Sequence, residues 1–301
     1  MIVRKKILSF ILIILAVFFY GCGLYYDYDK YDTGGETTGS VGDNNSNIKG
    51  SGSRTSGDTG NGNDGRAGKG VTFTVKEVVD GDTMILSDGS KIRLIGINTP
   101  EYGMYFFEEA RETLQVMVLG REVSLEKDVS EMDKYGRLLR YAYMNDLFVN
   151  LEMVIRGFAN AYTYPPDVKY SDKFLEAERY ARENNLGVWQ KSDSASIEIL
   201  INYNAKESDN INLNGEYVII KNTGTDIINT YGWTIKDSAT NIYKFNKYLF
   251  KPDEAIYLFT GNGKDGEGKF YWGSPGPVWN NDHDALYLRD REGLLIEIYG
   301  Y

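Results

Sequence analysis

At 301 residues, with 42% hydrophobic and 14% aromatic residues, the chain carries enough apolar matter for two modest cores. It holds one histidine, His283, and one cysteine, Cys22, which excludes a disulfide framework, a Ser-His-Asp triad, a histidine-based hydrolase and a Cys/His zinc site. Its 33 basic and 43 acidic residues leave a net charge of -10, so nothing here is a basic coat for polyanions; any hold on phosphate rests on local arginines and a bound cation.

The chain opens with Arg4, Lys5 and Lys6, followed by an apolar run from Ile7 to Tyr20. A positive start and a run short of the roughly 20 residues of a spanning helix predict a secretory signal over residues 1–21. Phe19-Tyr20-Gly21-Cys22 resembles a bacterial lipobox, in which the cysteine thiol is lipidated and becomes the new N-terminus, although Phe19 and Tyr20 replace the usual smaller aliphatic residues. A lipoprotein, a plain secreted protein and an uncleaved anchor are the three readings of this segment, and all of them put the mature protein outside the cytoplasm. Residues 22–70 are rich in Gly, Ser, Asn, Asp and Thr and poor in aliphatic residues after Leu24, a composition expected of a disordered tether between a lipid anchor at Cys22 and a folded domain.

From Val71 the pattern changes. Val71–Val79, Thr83–Leu86 and Lys91–Ile97 read as strands joined by Asp80-Gly81 and Asp88-Gly89 turns. A helix is expected from about Tyr105 to Leu119, with Phe106, Ala110, Leu114, Met117 and Val118 on one face and Gly120 as its stop. Glu122–Lys127 and Leu138–Met144 read as two further strands. Helices over about Asn150–Arg156 and Asp172–Asn184 follow, the second capped by Ser171. Five strands with three helices in this order are compatible with an OB-type barrel. Three short runs lie on this frame: Val79-Asp80-Gly81-Asp82-Thr83, Arg93-Leu94-Ile95-Gly96-Ile97-Asn98-Thr99-Pro100-Glu101, and Asp133-Lys134-Tyr135-Gly136-Arg137. Together they supply oxygen ligands for a hard cation, a candidate base and two guanidiniums, the parts that cleaving a phosphodiester requires.

These runs, in this order and spacing and with Gly187-Val188-Trp189 as a closing segment, resemble the staphylococcal nuclease (thermonuclease) family over residues 71–190. The resemblance implies a Ca2+-dependent nuclease acting on DNA and RNA and leaving 3'-phosphates. Carried onto this chain, it implies Asp82 as a direct calcium ligand, Thr99 as a carbonyl ligand, and Asp80 acting through water. Glu101 would orient or deprotonate the attacking water. Arg93 and Arg137 would grip the scissile phosphate, because their forked donors suit its equatorial oxygens. Tyr135 and Tyr162 match positions that contact the neighbouring phosphate and the nucleotide. Asn98 departs from the family, which commonly has an aspartate there; an amide supplies an oxygen without the charge, so weaker calcium binding is expected.

After Lys191-Ser192-Asp193-Ser194, read as a hinge, the sequence turns strand-like again. Glu216–Asn222, Tyr231–Ile235 and Ala285–Leu288 alternate or run apolar between Gly, Asn and Asp turns. Their order, with Trp279-Asn280-Asn281-Asp282 between, resembles the lamin-tail domain, an all-β immunoglobulin-like sandwich, over about Glu198–Tyr301. Trp233, Trp272 and Trp279 are expected in its core, and His283 in a solvated turn with no second histidine to complete a metal site.

The expected organisation is thus a signal over 1–21, a lipidated cysteine and tether over 22–70, a nuclease-like α+β barrel over 71–191 and a lamin-tail-like sandwich over 198–301. The reading is a nuclease anchored to a bacterial membrane, or else secreted, whose C-terminal domain binds a ligand that the sequence does not identify. Nothing in the sequence indicates an oligomer. The alternative is a non-catalytic adhesin that captures nucleic acid on the same fold. Arg93, Glu101 and Arg137 favour the enzyme, because a binder needs no base.

Overall fold

The structure, a computed structural model, describes residues 71–204, 212–239 and 241–301. The expected signal, Cys22 and the tether lie outside the described residues.

Five strands form a barrel: β1 (Thr72–Val78), β2 (Thr83–Leu86), β3 (Lys91–Leu94), β4 (Glu122–Glu126) and β5 (Leu138–Met144). They run in the order β3-β2-β1-β4-β5, and the parallel pairing of β3 with β5, Arg93 opposite Leu139, closes it. Closure leaves few free strand edges and packs Val75, Met84, Ile92, Leu94 and Val123 inside without exposure. The β2–β3 reversal is the expected Asp-Gly turn: Gly89 takes φ +89° and Asp88 accepts the Ser90 N–H at 2.8 Å.

The strand expected over 91–97 breaks at Ile95-Gly96. Gly96 has φ +79°, and a Cβ there would lie 2.2 Å from the Phe174 ring, so only glycine lets the chain turn under that helix. Beyond the turn a short strand, Ile97–Asn98, pairs with Asn160–Ala161. This kink delivers Asn98 and Thr99 to the mouth of the barrel.

Three helices cover the barrel: α1 (Phe107–Val118), α2 (Val149–Ile155) and α3 (Ser171–Glu183). α1 buries Ala110, Leu114, Met117 and Val118, the face that the 3.6-residue period predicts. It starts at Phe107 because Phe106 adopts a left-handed conformation, φ +66°. All seven residues of α2 are buried, and its Asn150 ties β5 to the kink by accepting the Ala142 N–H and donating to the Ile95 carbonyl, both at 2.9 Å. Ser171 does not cap α3: it is the first helical residue, and its hydroxyl donates to the Val168 carbonyl at 2.9 Å.

The C-terminal region is mostly strands: β6 (Ile197–Asn202), β7 (Tyr217–Asn222), β8 (Thr234–Lys236), β9 (Ile242–Lys244), β10 (Ala255–Phe259), β11 (Lys269–Tyr271), β12 (Ala285–Arg289) and β13 (Leu295–Gly300). They make two four-stranded sheets, β11-β10-β7-β6 and β9-β8-β12-β13. Val218, Ile220, Ile256 and Leu258 of the first share one core with Ile235, Leu286 and Leu288 of the second, as expected of an immunoglobulin-like sandwich. Trp233 and Trp279 are buried in that core and Trp272 packs against it, while His283 is exposed.

The segment after the barrel is not the free hinge expected from its composition. Lys191 forms a parallel bridge with Leu295, the Ser192 N–H donates to Leu295 O at 2.8 Å, and the Leu295 N–H donates to Gln190 O at 2.8 Å. The Ser192 hydroxyl donates to Asp290. Beside this splice Ala181, Val188, Trp189 and Leu295 form a small buried core, with Phe106, Tyr287 and Ile298 against it, so the barrel and the sandwich share apolar surface.

Candidate active site

The site begins with the turn between β1 and β2. Asp80 accepts the Asp82 N–H at 3.0 Å, a side-chain-closed turn that swings Asp82 inward, where it is only 5% exposed. Gly81 makes this approach feasible: a Cβ there would stand 2.8 Å from the Thr99 side chain and 2.9 Å from that of Ala110. Thr99, brought in by the Gly96 kink, then donates both its N–H (3.0 Å) and its hydroxyl (2.9 Å) to one oxygen of Asp82. The other oxygen accepts the Thr83 hydroxyl at 3.2 Å and faces Nε of Arg93 at 3.1 Å.

Arg93 stands opposite Thr83 in the β2–β3 ladder, so register alone puts it at this mouth. Its guanidinium donates to the carbonyls of Leu94 and Ile97, the latter at 2.9 Å, and to Oδ1 of Asn98 at 3.1 Å. Asp82, Asn98 and Arg93 therefore form one locked unit, in which the amide oxygen of Asn98 is turned towards the arginine. Burial, and then the charge of Asp82, push the Asp80 carboxyl above its ordinary value.

Arg137 arrives from the turn before β5. Asp133 accepts the N–H groups of Tyr135 and Arg137, each at 2.9 Å, and Nε of Arg137 at 2.8 Å. Against the burial that opposes it, these bonds hold the Asp133 carboxyl below its ordinary value. Nη1 of Arg137 then donates to the Thr83 hydroxyl at 3.1 Å. Thr83 thus bridges the two arginines, accepting from Arg137 while donating to the Asp82 carboxylate that holds Arg93.

The two expected binding tyrosines are exposed. Tyr135 lies under the Arg137 guanidinium, 5.6 Å from ring centre to Cζ. Tyr162 is fixed by its N–H to Gly96 O at 2.9 Å and lies parallel to Tyr164, centroids 6.1 Å apart. Both offer faces on which bases can stack.

Glu101 is exposed, in a loop that leads to α1. It lines a cleft with Asn98, Thr99 and Asn160 of the barrel and with Lys236 and Arg289 of the sandwich. The last two were not legible as site residues, because they lie in the other domain and no local motif marks them.

Among the described residues no three His, Cys, Asp or Glu side chains gather as a metal site. The two carboxylates present, Asp80 and Asp82, with the amide oxygen of Asn98 and the carbonyl of Thr99, are an all-oxygen set suited to a hard divalent cation and unsuited to a thiolate- or imidazole-seeking one. The charge of Asp82 adds to the cost of ionising Asp80, a repulsion that a bound cation would offset.

Two family models match the chain, that of the staphylococcal nuclease homologue over residues 91–191 and that of the lamin tail domain over residues 190–301. The thermonuclease of Staphylococcus intermedius is 34% identical over 136 residues, which cover 41% of this chain and 79% of that protein. Endonuclease YncB of Bacillus subtilis is 29% identical over 204 residues, 63% of this chain and 93% of its own length. The SPbeta prophage-derived endonuclease YokF of the same organism is 33% identical over 137 residues, 40% of this chain and 45% of its own length.

Proposed function

The chain belongs to the staphylococcal nuclease homologue family, and from that premise we propose that it is a calcium-dependent endonuclease that hydrolyses DNA and RNA to 3'-phosphate products outside the cytoplasm. The observation that carries this reading is the joined cluster of Asp82, Arg93, Asn98, Thr99, Thr83 and Arg137 at one mouth of the barrel.

In this reading Asp82, Asn98 and the Thr99 carbonyl hold calcium, with Asp80 acting through water. Bound there, calcium supplies positive charge beside the phosphate and lowers the cost of charge accumulating on its oxygens. Arg93 and Arg137, placed by Asp82 and Asp133, grip the non-bridging oxygens as negative charge grows, Arg93 by exchanging donors it now gives to the Leu94 and Ile97 carbonyls and to Asn98. Glu101 takes a proton from the attacking water. The new P–O bond forms as the bond to the 5'-oxygen breaks, and that oxygen takes up a proton, leaving a 3'-phosphate and a 5'-hydroxyl. Tyr135 and Tyr162 hold the flanking nucleotides.

Arg4, Lys5, Lys6, the apolar run and Gly21-Cys22 support an extracytoplasmic lipoprotein with a signal over 1–21, a tether over 22–70 and domains over 71–191 and 198–301. Lipid-precursor labelling of growing cells is expected to mark the protein, and Cys22→Ser to abolish the label. An unlabelled protein recovered from the medium would support plain secretion instead.

The decisive test of the activity is cleavage of DNA and RNA by the purified protein with added calcium and with a chelator. Cleavage that requires calcium and leaves 3'-phosphate ends is expected. Binding of nucleic acid without cleavage under any divalent cation would favour the adhesin.

A further inference from the structure

Glu101 sits in a loop of a few residues between Thr99, pinned to Asp82, and the start of α1 at Phe107. Its backbone is braced once within the loop, by the Met104 N–H donating to the Glu101 carbonyl at 2.9 Å. The two aromatic side chains that close the loop both turn towards the sandwich. The Tyr105 hydroxyl donates to the carbonyl of Arg291 at 2.7 Å and faces that of Gly232 at 3.3 Å. Its ring fills the place where Gly293 has no side chain: a Cβ at Gly293 would lie 2.4 Å from the ring.

Phe106 follows in a left-handed conformation that is unfavourable for a bulky residue. Its ring packs against the core of Val188, Trp189 and Leu295 that the two domains share, which offsets that cost. Across the cleft the sandwich presents Lys236, half-buried, whose charge interacts with that of Glu101.

We infer that the sandwich is a positioning element of the active site: Tyr105, clamped by the Gly232 and Arg291 carbonyls and seated on Gly293, determines where Glu101 stands. The inference rests on the reading of Glu101 as the group that handles the attacking water. Tyr105 lines the same cleft, but its hydroxyl is given over to the sandwich carbonyls, so it acts on Glu101 through the loop. A domain whose sequence shows no catalytic constellation thereby acquires an effect on turnover, because misplacing a catalytic group by about 1 Å costs up to about 10²-fold.

The test is a double-mutant cycle in the full chain. Steady-state cleavage of DNA at saturating calcium is measured for the wild type, Tyr105→Phe, Glu101→Gln and the double variant, with thermal melting of each. Tyr105→Phe keeps the ring and removes only the hydroxyl. It is expected to lower kcat about tenfold with KM nearly unchanged, and to have no further effect when Glu101 is already glutamine. Gly293→Ala displaces the same ring from the other domain and is expected to show the same dependence on Glu101. An unchanged kcat in both Tyr105→Phe and Gly293→Ala, or an equal proportional loss with and without the Glu101 carboxylate, would overturn the inference and leave Tyr105 as a domain contact only. If Glu101→Gln alone turns over like the wild type, the reading of Glu101 itself fails, a result distinct from additivity.

Discussion

Asp82 in the barrel and Asp284 in the sandwich are equally buried, each 5% exposed, yet their partners differ in kind. Asp284 accepts from the backbone N–H groups of Ser238, Asn280 and Ala285, from the Ser238 hydroxyl and from the Asn280 amide. Every one of those donors is neutral; Ser238 comes from the turn after β8, and Asn280 and Ala285 from the segment around Asp284 itself. Asp82 instead divides its two oxygens between threonine donors and a guanidinium, at a mouth where a second carboxylate and a second arginine converge. Burial of a carboxylate is therefore no sign of chemistry by itself. What sets Asp82 apart from Asp284 is a charged partner, the Arg93 guanidinium, where Asp284 has only neutral ones.

The largest expected effect tests the charged side of this contrast. Arg137→Lys keeps the charge but loses the fork that spans Asp133 and Thr83, and turnover is expected to fall by about 10² or more with little change in melting temperature. Near-normal kcat in a cleavage assay would place Arg137 outside the site. On the neutral side, Asp284→Ala removes the acceptor of several partly buried donors and is expected to cost about 1–2 kcal/mol in urea unfolding. The comparison breaks if that variant stays as stable as the wild type.

A calorimetric experiment sharpens it further. Calcium at about 100 times its dissociation constant is expected to stabilise the wild type by about 2.7 kcal/mol. Asp284→Ala is expected to keep this response and Asp82→Ala to lose it; an equal response in both would detach calcium from Asp82. The smallest effect is at Asn98. Asn98→Asp adds a negative charge beside Arg93 and the proposed cation, and is expected to lower the calcium needed for half-maximal activity by several-fold, on the order of what one added charged ligand contributes. Superimposed titrations of the two proteins would show that Asn98 is no ligand and serves only to hold Arg93.

Much of the barrel was legible because its signals are local. Asp88-Gly89 closes a two-strand reversal within a few bonds, and the face of α1 repeats every 3.6 residues. The misreadings at Gly96 and at Lys191–Ser194 come from distant partners. Gly96 breaks the expected strand because Phe174, 78 positions later in the sequence, packs against it. Ser171 reads as a cap by type, yet the helix starts one residue earlier and uses its hydroxyl to bond backwards. Lys191–Ser194 has the polar composition of a hinge, but its backbone groups found a partner in Leu295.

The candidate site divides in the same way. By itself the sequence determined which chemical groups are present and in what order: two carboxylates, two guanidiniums, an amide in a position where the family commonly has an acid, and a glutamate after a proline. Those follow from residue type and spacing, which folding does not alter. Only the tertiary structure decided that Arg93 folds back on Asp82 and Asn98, that Thr83 links it to Arg137, and that the loop of Glu101 is held by Gly232, Arg291 and Gly293 of another domain. Such contacts depend on strand register and on the packing of one domain against another, and both are set by the burial of apolar surface over the whole chain, which no short window of residues contains.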